Sequence, residues 1–172
     1  MKRYFFDNHQ NYPLNIDFDS RKAYFTENIK GIYMLWFRVG SFALIATGFI
    51  HLIGHFMGIT PSNETEKQLI DLMTGYKMTG VNITMMSLYK GFSLFYALFF
   101  IMTGELDLWL SRSYKENPSE LKKVAVVNIF GLGIGTGISF YYFFAGPIVC
   151  ISAAFVCFVI SFIALNGTKH TA

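Results

Sequence analysis

The chain has 172 residues, 53% hydrophobic and 15% charged, with 19 Phe, 10 Tyr, 15 Gly and a formal net charge of +3. A soluble domain carries about 25% charged residues and, at this length, buries too little surface to hide so much apolar side chain. Composition therefore excludes a single water-soluble core and points to one polytopic membrane domain. The positive balance does not indicate nucleic acid, because a membrane protein distributes Lys and Arg for orientation.

Residues 1–30 are polar and aromatic, with Lys2, Arg3, Arg21, Lys22 and Lys30 set against Asp7, Asp17, Asp19 and Glu27. They read as an N-terminal tail, with no apolar run close enough to the first basic residues for a signal peptide. Tyr4-Phe5-Phe6 and Tyr24-Phe25 then belong to a poorly ordered tail, with the membrane surface or a partner as the alternative contact.

A first span is expected over residues 31–57. At 100° per residue, Gly40, Leu44, Thr47, Gly48, His51, His55 and Gly58 share one stripe, and Phe42, Ile45, Phe49, Ile53 and Phe56 lie opposite. Small and polar residues mark a helix-facing side and bulky ones a lipid side. Both histidines thus point inward, while Arg38 falls on the apolar side as a snorkelling anchor. Residues 64–78 follow as a short amphipathic helix in the membrane interface: Asn63 and Glu66 form a capping pair, and Leu69, Leu72, Met73 and Tyr76 recur on one face.

A second span is read over 86–110, with Lys90, Ser93, Ala97 and Gly104 as its stripe and Glu105, Asp107 and Trp109 where it leaves the bilayer. Asn117-Pro118-Ser119-Glu120 opens a third span over 122–144, with Asn as cap and Pro at the first helical position. Gly146-Pro147 turns the chain into a fourth, 147–166, leaving 168–172 as a C-terminal tail. Gly131, Gly133, Gly135 and Gly137 give two overlapping G-x-x-x-G pairs within an apolar helix, a helix-packing pattern and not a nucleotide loop. Cys150 and Cys157 are two turns apart on one helix, about 10 Å, too far for a disulfide.

An even number of spans puts both termini on one side. That side holds Lys2, Arg3, Arg21, Lys22, Lys30, Arg38, Arg112, Lys115, Lys122, Lys123 and Lys169, against Lys67, Lys77 and Lys90 on the other, so the termini are expected in the cytoplasm. His51 and His55 then share the outer half with Lys90 and Cys150, out of reach of Glu105 and Asp107. Three uses of the pair stay open: packing glue between helices, a pocket of His51, His55 and Lys90 for a lipid-like ligand, or a metal site of His51, His55 and Cys150. Lys90 opposes a dication, and haem lacks a second ligand because His9 and His170 lie in the tails.

The His-bearing first helix and the second-span run Ser87-Leu88-Tyr89-Lys90-Gly91-Phe92-Ser93, followed by Gly104, resemble uncharacterised four-helix membrane proteins of bacteria. Span count and small-residue pattern are also similar to DoxX-like four-helix proteins. The resemblance covers the spans and implies the architecture and a bacterial inner-membrane location, but carries no activity. The expected fold is all-α, a polytopic four-helix membrane bundle with one interfacial amphipathic helix. The expected role is a structural or accessory component of a membrane assembly, with no enzymatic activity assigned; the alternative is a membrane binding or redox module whose outer-half pocket takes a lipid-like ligand or a metal. Its partners are the lipid bilayer and a second copy or a larger membrane complex. A cofactor is not expected, and a metal is the alternative.

Overall fold

The computed structural model describes residues 18–167. Tyr4-Phe5-Phe6, His9, Lys169 and His170 lie outside the described residues. The described chain forms α1 (Phe18–Met57), α2 (Glu64–Gly75), α3 (Met85–Ser113), α4 (Pro118–Tyr142) and α5 (Ala145–Gly167). Residues Gly31–Met57 of α1, and the whole of α3, α4 and α5, are long and apolar enough to cross a membrane. The shortest, at 23 residues, spans about 35 Å against about 30 Å of hydrocarbon.

Helix α1 starts well before the apolar run, so 18–30 is helical where a tail was expected. Between Pro13 and Gly31 no Pro or Gly interrupts the sequence, so a helix nucleated in the span propagates backwards at little cost. At α2 the expected cap forms: Asn63 Oδ1 accepts from the Glu66 amide at 2.9 Å, and Glu66 Oε2 accepts from the Ser62 amide at 2.6 Å. A tight turn joins α2 to α3. Lys77 bridges Thr84, the Met78 amide donates to the Ile83 carbonyl, and Gly80 takes φ +85°, a backbone state that glycine adopts without strain. Thr84 Oγ1 then caps α3 by accepting from the Ser87 amide at 3.1 Å.

Two local expectations are corrected. Asn117 stands at the N-cap of α4 with Pro118 behind it, but its side chain makes no capping bond; its carbonyl takes the Glu120 and Leu121 amides. The last turn is made by Phe143 and Phe144, so Gly146-Pro147 falls inside the first turn of α5. Proline is tolerated there because the first amides of a helix have no intrahelical acceptor.

Helix α1 packs against α3 on one side and α5 on the other, α4 packs on α5, and α3 meets α4 at few positions. The apolar core lies between α1, α4 and α5: Tyr33, Phe37 and Leu44 meet Leu121, Ala125, Ala154, Phe158 and Leu165. Phe37 and Phe158 pack edge to face at 5.1 Å between centroids, and Ser161 Oγ donates to the Tyr33 carbonyl at 2.9 Å. Helix α3 is held differently, by backbone approach. A Cβ at Gly48 would lie 2.7 Å from the Ala97 carbonyl oxygen, and one at Gly104 would lie 2.6 Å from the Ser41 carbonyl oxygen. Only glycine permits such a crossing. The face division of α1 follows the sequence stripe over its first half, with Gly40, Leu44, Thr47 and Gly48 buried and Phe42, Phe49, Ile53 and Phe56 exposed. Beyond it His51 and Gly58 are exposed where an inward face was expected, and Ile45, expected toward lipid, packs on Gly104 of α3. At the α2 side, Phe140, Tyr141, Tyr142, Phe143 and Phe144 are exposed, an aromatic girdle suited to the water interface.

Candidate functional site

The polar groups inside the apolar helices fall at two levels. Toward the α2 side, His51 on α1 meets Ser93 on α3, with Nε2 and Oγ 3.2 Å apart. The bond exists because α1 and α3 run antiparallel through the Gly48–Ala97 crossing, which puts His51, one turn beyond Gly48, opposite Ser93, one turn before Ala97. His55, half-buried, sets its ring edge against Phe56 at 5.3 Å. Lys90 is exposed one turn before the start of this contact. Cys150 is half-buried on α5. Gly40 meets Cys157, so seven residues along the antiparallel pair Cys150 stands level with Thr47, a turn short of His51. Among the described residues no group of three or more His, Cys, Asp or Glu side chains is placed to hold a metal ion, so His51, His55 and Cys150 are not assembled as a ligand set.

The second level lies toward the α3–α4 loop and was not singled out from sequence as a site. Asp107 is 3% exposed, buried inside the fold where the sequence placed it leaving the bilayer. Both its oxygens accept from Asn128 Nδ2 on α4, at 3.0 Å each, and Asn128 is itself buried. One turn further along α3, Ser111 Oγ donates to the Leu108 carbonyl at 2.8 Å and accepts from Arg38 Nε of α1 at 3.3 Å. Arg38 is thus half-buried and bonded to a neighbouring helix, not a free interfacial anchor. Glu105, two residues from Asp107, is exposed as expected.

A signal for this second level was present. The α3 stripe of Ser93, Ala97 and Gly104 continues at helical spacing through Asp107 to Ser111, so the carboxylate belonged on the packing face from the start. Position near a helix end was given more weight than facing, and facing decides burial.

Of the glycines in α4, Gly133 and Gly135 contact α5, at 3.3 Å from Phe155 and 3.7 Å from Ile151 for an added Cβ. Gly131 and Gly137 have nothing within 4 Å. The closest backbone approaches are instead at Gly48 and Gly104, because the packing partner of α1 is α3 and both helices carry the small residue at the crossing. No protein-family model, no curated protein and no solved structure matches the chain.

Proposed function

We infer that the protein is a structural or accessory component of a membrane assembly, one that fixes the arrangement of apolar helices within the bilayer. The observation that carries this reading is the use made of the polar groups inside the apolar helices. His51 joins α1 to α3, Arg38 joins them again through Ser111, and Ser161 joins α5 to α1. Asn128 joins α4 to Asp107 of α3, and Lys122 of α4 donates to Asn166 of α5. Each adjoining pair of the four long apolar helices therefore has a polar tie. Such ties are favoured in hydrocarbon because the competing bond to water is absent there. Helix α4, packed on α5, turns Gly131 and Gly137 outward beside exposed Val127, Phe130 and Ile134, an apolar face on which another helix would seat. Helix α2, with no buried residue and with Leu69 and Leu72 exposed, fits an interfacial position beside the bilayer.

Purification in mild detergent, followed by native mass determination and elemental analysis, tests the reading. The expected result is a defined oligomer or a stoichiometric membrane partner, retained in a His51→Ala/His55→Ala double variant and lost in Gly131→Leu/Gly137→Leu. A monomer carrying a metal or chromophore that the histidine variant loses would overturn it in favour of a ligand pocket.

A further inference from the structure

Asp107 is a carboxylate inside an apolar helix whose charge is unanswered by its immediate neighbours. Its two oxygens share one donor, the neutral Asn128 amide, which also lies 3.3 Å from the Val124 carbonyl. Two amide hydrogens thus serve three acceptors. The charged groups nearby are otherwise engaged or turned outward. On α1, Arg38 Nε donates to Ser111. On α4, Lys122 donates to Asn166, and Lys123 pairs with Glu120 at 2.7 Å. On α3 itself, Glu105 and Arg112 are exposed. The ion pairs among the described residues, Lys67–Glu64 and Lys123–Glu120, both lie elsewhere.

Arg38 is nonetheless level with Asp107. The backbones cross where Gly104 meets Ser41, and the helices are antiparallel, so Arg38, three residues before Ser41, faces the height of Asp107, three residues after Gly104. A carboxylate left ionised in a low-dielectric interior costs far more than one neutral hydrogen bond restores, so it takes up a positive charge.

We propose that Asp107, held by Asn128, is an intramembrane proton site, with the Arg38 guanidinium as its built-in competitor. With the proton bound, Asp107 is neutral, Asn128 ties α3 to α4, and Arg38 rests on Ser111. When the site is empty, Arg38 moves from Ser111 to the carboxylate and draws α3 onto α1. The α3–α4 seam, which has few other contacts, then loosens. The exchange passes one proton between water and the carboxylate, and makes or breaks one O–H bond. Proton filling is favoured at low pH and lost as pH rises.

The chain has two tryptophans, Trp36 and Trp109, each two residues from Arg38 and Asp107 respectively, so intrinsic fluorescence reports on the site. The full chain in lipid nanodiscs is titrated first with pH in choline chloride, then with sodium or potassium chloride at fixed pH. A saturable change in emission is expected on the pH axis and none on the salt axis. The response is expected to be lost in Asp107→Asn and kept in Glu105→Gln. No saturable change with pH, a saturable response to salt in its place, or an unaltered response in Asp107→Asn overturns the proposal. If Asp107→Asn loses its helical circular dichroism, Arg38→Gln decides: removal of the competitor shifts the midpoint to higher pH, a several-fold lower proton concentration, and an unmoved midpoint overturns the proposal.

Discussion

Two glycines carry the α1–α3 contact, and the cost of enlarging them follows from what a Cβ would meet. At Gly48 it would lie 2.6 Å from Ile101 Cγ1 and 2.7 Å from the backbone oxygen of Ala97, and the backbone cannot give way as a side-chain tip does. Gly48→Val is therefore expected to destabilise the fold by about 1–3 kcal/mol, the range for overpacking, measured as a lowered midpoint of denaturant unfolding in detergent. Gly137→Ala, with nothing within 4 Å, is expected to leave that midpoint unchanged or slightly raised, since alanine favours the helix. Equal losses at the two positions would show that the helices do not cross as described. Ser161→Ala removes one interhelical bond to the Tyr33 carbonyl, with an expected loss of about 0.6 kcal/mol, the average for such bonds between membrane helices.

Helix termini were legible in the sequence wherever the cap chemistry is local. Asn63 and Thr84 cap as residue type and spacing predict, because the acceptor and its amide are only three positions apart. Asn63→Ala is expected to cost about 1 kcal/mol locally. Hydrogen exchange should then quicken at the amides of the first turn of α2, including Glu66, while those of α3 stay protected. The start of α1 was not legible, because the end of an apolar run was read as the end of the helix, although nothing between Pro13 and Gly31 breaks one. The faces of α4 were misread for another reason. Glycines recur through Gly131 to Gly137 and mark no single side, so which of them is packed depends on where α5 lies.

For the molecule as a whole, the distribution of basic residues predicts both termini on the cytoplasmic side and the α2–α3 loop outside. A single cysteine placed at Lys77, in a chain with Cys150 and Cys157 replaced by serine, should react with an impermeant maleimide added to intact cells. Labelling only after permeabilisation would invert the topology and put the His51–Ser93 level in the cytoplasmic half. Lys77 suits the test because it is exposed and sits beyond the end of α2, in the turn before α3.

The sequence by itself determined the membrane class, the four apolar helices, the packed face of α1 from Gly40 to Gly48 and the caps of α2 and α3, because each depends on composition, period or neighbours a few residues apart. Only the tertiary structure decided that α1 has α3 and α5 as its neighbours, that Gly48 and Gly104 are the points of closest approach, and that Asp107 is buried against Asn128, not leaving the bilayer. Those outcomes depend on which helix lies beside which, and residues 21 positions apart, such as Asp107 and Asn128, meet through packing that no local pattern encodes. The His51/His55 turn, expected to point inward as a pair, leaves His51 exposed and His55 half-buried, and the antiparallel crossing gives His51 its partner, Ser93.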